Sequence, residues 1–474
     1  MDSFNHTPLT KTIFKFKVCS MTKPKKQFII SLSLIAILVG VGFWITTINQ
    51  KKLKENAQVH YLNETVNVQE IKEDPNIFSL LRQIAGFEKE MNYLVLFQNN
   101  LELRPTGGFV SSFATAKIKD ARPKDFQFYC TAVFDLDLST PTQLQPPDPI
   151  KKYLWVKNWQ FRDGNWSPDF PTTAEKMMEL YHLQGGQEEF DGVIAITPEV
   201  LKSLLEIHGP IEMPDYNLTI STDNFLLTLE QQVEIDYLAQ GIQKYERKDI
   251  LKDLAKILIE KTLSLDPLKS LKLISLAQKH LNQKDILLYF KNTQLQKDIS
   301  RLGWSGEMKK TDSDYLAVID ANVNAFKADY FVNRNIEYTI DLSKEIPRAK
   351  LTINYEHTAE EKSWLTRDYQ SWLRVYVPEG SWFTKIDGLS TDAEYGKEFG
   401  KTFAAGLVKV PIASTHQVVL EYDLPEDIDA NNYKLYIQKQ PGIEELPIKI
   451  EIITPNGEIK HIQKTIKTDS EFNF

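Results

Sequence analysis

The stretch YLVLF (Tyr93–Phe97) predicts the fold class of the long C-terminal part of the chain. A continuous apolar run is typical of a strand buried on both faces, in a sheet covered by helices. A second such run, Asp191–Ile196, leads into the helical pattern Pro198–His208, with proline in the first turn and Gly209 after the end. The short run Ile211–Met213 then completes a strand, helix, strand order. We therefore expect an extracytoplasmic α/β domain with a mixed sheet and helices.

Shorter patterns assign this α/β core domain to residues 92–324. Further strands are predicted at Phe109–Lys119, Phe126–Leu138, Ile286–Phe290 and Tyr315–Ile319. Further helices are predicted at Thr172–His182 and within Thr222–Asn282, where Leu251, Leu254, Ala255, Leu258 and Ile259 recur at helical spacing.

Residues 325–474 have a different pattern, in which helical spacing disappears. Short β-type runs alternate with Gly, Pro, Asn and Asp, an arrangement typical of an all-β sandwich. The predicted strands are Tyr330–Asp341, Ala349–Tyr355, Trp372–Val377, Phe403–Val410, Gln417–Tyr422, Tyr433–Gln438 and Ile448–Ile453.

The segment Phe28–Ile48 contains no charged residue and predicts one transmembrane helix, because its 21 residues would span roughly 30 Å of bilayer. Residues 1–27 form a basic head with six lysines and one acidic residue, so we expect the head in the cytoplasm. Residues 49–91 would form a stalk. The predicted location is the cell membrane, with a single pass, a cytoplasmic N-terminus and an extracytoplasmic C-terminal body.

The charge of the body argues against nucleic acid as a partner. Of the 56 basic and 64 acidic residues in the chain, six lysines and one aspartate lie in the head, so the remainder has a net charge of −13. Binding to a phosphate backbone needs a clustered basic surface, and none is visible after Lys54. Cys19 and Cys130 would lie on opposite sides of the membrane, where they cannot form an intramolecular disulfide.

The segment RPTGGF (Arg104–Phe109) follows the first predicted strand and is a candidate anion site. Gly107 and Gly108 allow backbone N–H groups to turn toward a phosphate, Thr106 adds a hydroxyl, and Arg104 could bind the phosphate with two hydrogen bonds. The spacing matches neither a P-loop nor a dinucleotide motif. A tight turn that needs glycine explains the same residues equally well.

The segment RDGNWSPDFP (Arg162–Pro171) has the densest set of functional groups in the chain. Arg162 and Asn165 are candidate anion ligands, and Asp163 or Asp169 could hold a hard cation such as Mg²⁺. The alternative is structural, with Asp169 capping the following helix and with Trp166 and Phe170 in the core.

Asp135 and Asp137 lie two residues apart in the predicted strand Phe126–Leu138 and would share one face of it. They could bind a metal together, although a solvated strand face is the simpler interpretation.

Seven motifs in order resemble the bacterial domain of unknown function 4012 (DUF4012) family and cover most of the chain from Tyr93 onward. They are Leu103–Phe109, Arg162–Pro171, Asp191–Ile196, Gly209–Ile211, Leu287–Phe290, Gly303–Gly306 and Asp320–Val323. The resemblance implies a membrane-anchored bacterial protein without an established activity.

A fainter resemblance links Phe190–Met213 to the LytR-CpsA-Psr envelope proteins. It implies a transferase or hydrolase acting on polyprenyl-pyrophosphate-linked glycopolymers, with Arg104 and Arg162 on the phosphates and Asp163 or Asp169 on Mg²⁺. Few arginines are present, and the arginine-aspartate motif of that family is not evident. Two hypotheses remain open: an envelope protein that binds or presents a glycan, lipid or protein partner, and an enzyme of this transferase type.

Overall fold

The computed structural model of the protein describes residues 75–136, 143–244, 246–265 and 267–474. The predicted head, the predicted membrane span and the first part of the predicted stalk lie outside these ranges. Among the described residues, no helix combines the length and the apolar character needed to cross a membrane.

An α/β region forms the first part of the described chain. Its helices are α1 (Pro75–Ile84), α2 (Thr131–Leu136), α3 (Asp148–Tyr153), α4 (Phe170–Leu183), α5 (Pro198–His208), α6 (Phe225–Gln231), α7 (Tyr237–Ala239), α8 (Asp249–Leu263), α9 (Pro267–Gln283) and α10 (Thr293–Arg301). Its strands are β1 (Met91–Asn99), β2 (Phe109–Lys119), β3 (Arg122–Cys130), β4 (Gly192–Ile196), β5 (Ile211–Met213), β6 (Leu218–Ile220) and β7 (Ile286–Phe290).

The main sheet of this region is mixed, as predicted. It has five strands in the order β3-β2-β1-β4-β7. β1 and β4 run parallel, with Tyr93 opposite Gly192, and the other neighbouring strands run antiparallel. Because β1 and β4 are parallel, their carboxyl ends meet at one edge of the sheet, where ligands gather in α/β proteins.

Both faces of the sheet are covered, which explains the continuous apolar run in β1. Tyr93 and Val95 face a layer that includes side chains of α1, α9 and α10. Leu94 and Leu96 face the opposite layer, where α4 contributes Phe170 and Met177. Alternate side chains of one strand therefore belong to two separate cores.

A sandwich region follows, and its strands belong to two six-stranded sheets. The strands are β8 (Asp314–Ile319), β9 (Val332–Asp341), β10 (Arg348–His357), β11 (Tyr369–Pro378), β12 (Trp382–Asp387), β13 (Glu394–Glu398), β14 (Lys401–Val410), β15 (Thr415–Asp423), β16 (Lys434–Gln438), β17 (Leu446–Ile453), β18 (Ile459–Ile466) and β19 (Ser470–Asn473). The strand orders are β12-β15-β10-β9-β17-β18 and β13-β14-β11-β8-β16-β19.

The two sheets pack against each other through one apolar core, which contains Ile336 and Leu351 from the first sheet and Leu373 and Val408 from the second. The prediction of a later β-rich region is therefore confirmed. β8 precedes the domain boundary predicted at residue 324 but pairs with β11 and β16 of the second sheet. The sandwich region therefore comprises residues 314–474.

The structure differs from the sequence predictions at two places in the α/β region. Phe126–Leu138 is not one strand, because β3 ends at Cys130 and Thr131 begins α2. The predicted stalk contains α1, whose Leu80 and Ile84 are buried in the core beneath the sheet. The Tyr93 hydroxyl also donates a hydrogen bond to the Ile84 carbonyl (2.6 Å), which fixes the end of α1 on β1.

A buried carboxylate connects the two sheets of the sandwich region. Asp314 of β8 accepts hydrogen bonds from the hydroxyls of Tyr338 (2.8 Å) and Tyr433 and from the Tyr315 backbone N–H (2.7 Å). Tyr338 also bonds to the Tyr422 hydroxyl (2.8 Å). Burial raises the pKa of Asp314 to about 6, and the hydrogen bonds lower it only in part.

This raised pKa predicts a pH dependence of stability. The Asp314 carboxyl ionises at lower pH in the unfolded chain than in the folded one, so the folded state holds the proton longer. The free energy of unfolding should therefore fall as pH rises from about 4 to about 6, by on the order of 3 kcal/mol from this group. Urea unfolding at pH 4.5 and 7.5 should show that Asp314→Asn reduces the difference between the two pH values. The same substitution at exposed Asp387 should leave it unchanged, and an equal effect of both would contradict the prediction.

Candidate binding site at the junction of the two regions

The loop between β1 and β2, here called the junction loop (residues 100–108), contains the predicted anion-binding segment. Residues 101–108 are all buried. Gly107 has a φ of +132°, which favours glycine. A Cβ atom on Gly108 would lie 2.3 Å from the Asn99 carbonyl carbon, so this glycine is required by a close approach of the backbone.

Asn165 brings the two predicted segments together. Its side chain is fully buried, and Nδ2 donates to the Gly108 carbonyl (2.8 Å) and to Oε1 of Gln98 (3.0 Å). Gln98 in turn donates from Nε2 to the Thr106 carbonyl (2.8 Å), and the Thr106 hydroxyl donates back to Gln98 Oε1 (3.0 Å). Asn165 and Thr106 therefore fix the shape of the junction loop through a network closed off from solvent.

Arg104 lies in a buried charge cluster with two carboxylates. Its Nη2 donates to Oε1 of Glu102 (3.1 Å) and to Oδ1 of Asp163 (3.4 Å), and the three side chains are 5% exposed or less. Burial raises the pKa of both carboxyls, whereas the Arg104 charge lowers it. The guanidinium also stacks on the Phe109 ring (5.6 Å). Only Nη2 takes part in these ion pairs, and Nε and Nη1 are buried without a hydrogen-bond partner among the described residues.

Arg162 forms a separate ion pair. Its Nε lies 2.8 Å from Oδ2 of Asp135, and the Arg162 side chain is 30% exposed whereas the Asp135 side chain is fully buried. Asp135 also accepts from the Phe161 N–H (3.1 Å) and from Gln184 Nε2 (2.9 Å), and burial raises its pKa to about 6. The solvated strand face predicted for Asp135 is wrong, because the residue lies in α2 and faces inward. Asp137 lies outside the described residues.

Asp169 is the N-cap of α4. Its Oδ2 accepts from the Thr172 N–H (3.1 Å) and hydroxyl (2.7 Å), and its Oδ1 accepts from the Met308 N–H (2.9 Å). Phe170 is fully buried. The structural alternative therefore holds for Asp169 as a cap and Phe170 in the core, whereas Trp166 is only half-buried. Asp163 is paired with Arg104. Among the described residues, no three His, Cys, Asp or Glu side chains are grouped so that they could hold a metal ion.

The sandwich region covers the junction loop. The Asn322 N–H donates to the Leu103 carbonyl (2.8 Å), and the Leu103 N–H donates to Oδ2 of Asp329 (3.0 Å). Gln440, in the loop between β16 and β17, donates from Nε2 to the carbonyls of Arg104 (3.2 Å) and Asp320 (2.7 Å). The sheet edge at which the sequence predicted a phosphate is therefore occupied by another part of the chain.

Among the described residues, the junction of the regions includes a larger and a smaller opening. The larger, about 1070 Å³, is a cleft between the junction loop and β9, β17 and β18, lined by both polar and apolar groups. The smaller, about 330 Å³, is lined by Trp159, Trp166 and Trp372. We call it the tryptophan cavity.

The tryptophan cavity combines aromatic and charged side chains from both regions. Phe399 and Phe403 complete its aromatic wall. Its charged lining consists of Lys176, Arg374, Glu394 and Glu398. No sequence pattern indicates these charged residues as a group, because Lys176 and Arg374 are almost 200 positions apart and no local spacing connects them. The tryptophans between residues 155 and 166 are the local signal that the sequence offers for this cavity.

The comparisons with known proteins identify one segment. Residues 88–233 match the sequence model of the family described as "Protein of unknown function (DUF4012)". The match confirms the resemblance to this family over that segment, which contains four of the seven motifs. The other three motifs, from Leu287 onward, lie outside the match. Nothing in the comparisons supports the resemblance to LytR-CpsA-Psr proteins.

A solved structure of a candidate nutrient-binding protein from Legionella pneumophila is similar at 9% sequence identity and a TM-score of 0.20. The similarity covers 27% of this chain and 51% of that protein, about half of its length. Similarity at this level assigns neither fold nor function. No curated protein matches the chain.

The contact between Gly442 and Gly107 gives a test of how the regions dock. A Cβ on Gly442 would lie 2.0 Å from the Gly107 carbonyl oxygen, whereas a Cβ on Gly457 would meet nothing within 4 Å. The two glycines have nearly equal φ angles, +83° and +84°. Both Gly→Ala substitutions therefore place alanine at a similarly unfavourable φ, and Gly442→Ala should cost about 1–3 kcal/mol more because the two segments are forced apart. Thermal unfolding measures the difference, and equal losses would show that this contact is not needed.

Proposed function

We propose that this protein is a membrane-anchored, single-pass envelope protein whose extracytoplasmic body binds and presents a ligand rather than catalysing a reaction. One observation carries the proposal. The charged groups that suggested phosphate chemistry, Arg104, Arg162, Asp163 and Asp169, each have a partner within the protein and stabilise loops or a helix end. These contacts lie within the α/β region and support a structural role for both segments.

The tryptophan cavity supports binding. Ligand sites tend to lie between structural units and to combine apolar walls with a few polar groups, and the tryptophan cavity has both properties. A transferase of the LytR-CpsA-Psr type would need guanidinium groups free for a pyrophosphate. The unused donors of Arg104 are buried and closed off from solvent. Arg162 would leave Asp135 unpaired, which is strongly destabilising for a buried charge.

Calorimetry tests the proposal against the transferase alternative. Full-length protein in detergent should show no saturable binding of a short-chain polyprenyl pyrophosphate, with or without Mg²⁺. Arg162→Ala is the informative variant, because Arg162 is partly exposed and its loss should perturb folding less than the loss of Arg104. Mg²⁺-dependent binding by the wild type that disappears in a folded Arg162→Ala variant would refute the proposal and indicate a polyprenyl-pyrophosphate-linked substrate.

Protease accessibility tests the proposed topology. An epitope at the C-terminus should be digested by protease added to intact bacterial protoplasts, because the body is placed outside the cytoplasm. An epitope at the N-terminus should be protected until the membrane is permeabilised. Protection of both epitopes, or recovery of the intact chain from the soluble fraction, would contradict the membrane anchor or its orientation.

A further inference from the structure

We infer that the tryptophan cavity binds a neutral saccharide unit of an envelope glycan, an inference that rests on the proposed binding function. The cavity volume, about 330 Å³, lies near the lower end of the range for small-molecule sites, about 300 to 1,000 Å³. This volume suits a ligand of the size of a mono- or disaccharide.

The aromatic wall provides surfaces for the carbon-bound hydrogens of a sugar ring. Trp159 and Trp166 are half-buried, and each already carries a cation: the Lys176 Nζ lies 4.9 Å from the Trp159 ring centre, and the Arg374 guanidinium lies 5.1 Å from that of Trp166. These cations and the surrounding packing fix the orientation of the indoles. A sugar ring has polarised C–H groups on its faces, which are attracted to the electron-rich face of an indole.

Arg374 provides a hydrogen-bond donor that no protein atom uses. Its side chain is 7% exposed, Nη2 donates to the Trp166 carbonyl (2.7 Å), and Nη1 lies 3.8 Å from Oε1 of Glu398. The remaining Nε–H is buried and has no hydrogen-bond partner among the described residues. A buried donor without a partner is costly, and a ligand oxygen would satisfy it.

The carboxylates provide the complementary acceptors. Glu394 and Glu398 line the cavity from β13, and Glu398 is only partly exposed. A hydroxyl both donates and accepts, so neighbouring sugar hydroxyls can donate to a glutamate and accept from Arg374. This donor and acceptor pattern, next to aromatic faces, is the recognition chemistry of a saccharide.

The charge balance favours a neutral ligand. Two cations and two carboxylates line the cavity, so it offers no net charge for an acidic glycan or a phosphate. An aliphatic chain would leave the Arg374 Nε–H without a partner and would remove the exposed Glu394 carboxylate from water, which is unfavourable.

The site exists only when the two regions are docked. Trp159, Trp166 and Lys176 come from the α/β region, whereas Trp372, Arg374 and Glu398 come from the sandwich region. The hydrogen bond from Arg374 to the Trp166 carbonyl crosses the junction and joins the two walls. Ligand binding should therefore stabilise the docked arrangement and raise the melting temperature of the whole chain.

Screening of the full-length protein on a glycan array, followed by calorimetric titration with the glycans that bind, tests this inference. The protein is kept in a detergent without sugar groups, because a maltoside would compete. Neutral glycans should bind and raise the melting temperature. Glu394→Gln, at an exposed position where folding is not at risk, should weaken binding roughly tenfold, as should Trp166→Ala. Trp155→Ala is the matched control, because Trp155 is 85% exposed and does not line the cavity.

Unchanged affinity of both cavity variants, binding of acidic glycans alone, or binding of no glycan would overturn the inference. These results are distinct from a failure of the proposed function. A protein that binds no glycan and no polyprenyl pyrophosphate refutes the saccharide site only, whereas Mg²⁺-dependent pyrophosphate binding refutes the wider proposal.

Discussion

The buried positive charge of Arg104 constrains everything around it. An arginine excluded from water needs opposite charges and acceptors within reach, and here they are Glu102 and Asp163, from two different loops. Asp163 belongs to the segment that continues through Asn165 to the N-cap of α4, so the cluster also fixes the position of Trp166. The sandwich region then hydrogen-bonds to the backbone of the same loop. The Arg104 ion pairs therefore help to fix the shape of the junction loop, the surface on which the sandwich region docks and the position of Trp166 in the cavity wall.

The strands and helices that bury the most side chains were the ones predicted correctly from the sequence. Strands with two covered faces, such as β1 and β4, and helices with one apolar stripe, such as α5, were predicted at nearly their observed bounds. The strands missed in the sandwich region are β12, β13, β18 and β19, which are the four edges of its two sheets. Edge strands bury fewer side chains, and most residues of β12 and β18 are exposed. Their sequences therefore lack the alternation by which strands are recognised. α2 was missed for a different reason, because its apolar residues continue the pattern of β3 without a break.

Sequence reasoning identified the two segments that matter, although the geometry gives them another role. Asp169 as a helix cap and Phe170 as a core residue follow from local rules and were available as alternatives. The pairing of Arg104 with Asp163 and of Arg162 with Asp135 could not be predicted from local rules. Each pair joins residues at least 27 positions apart and depends on how the loops cross. The same limit applies to the tryptophan cavity. Its walls are brought together by docking, and no feature of Trp166 or Arg374 in the sequence shows that they will meet.

The strand order of the sandwich also has a consequence for the order of events in folding. β8 is the first strand of this region in the chain, yet it lies between β11 and β16, and β9 likewise pairs with β17. During synthesis the N-terminal part of the chain emerges first. β8 and β9 therefore each lack one neighbouring strand until β16 and β17 have been synthesised. The loop that carries Gln440 and Gly442 lies between those last strands. Completion of the sandwich and closure of the junction are therefore expected to occur together, after synthesis of the chain is almost finished.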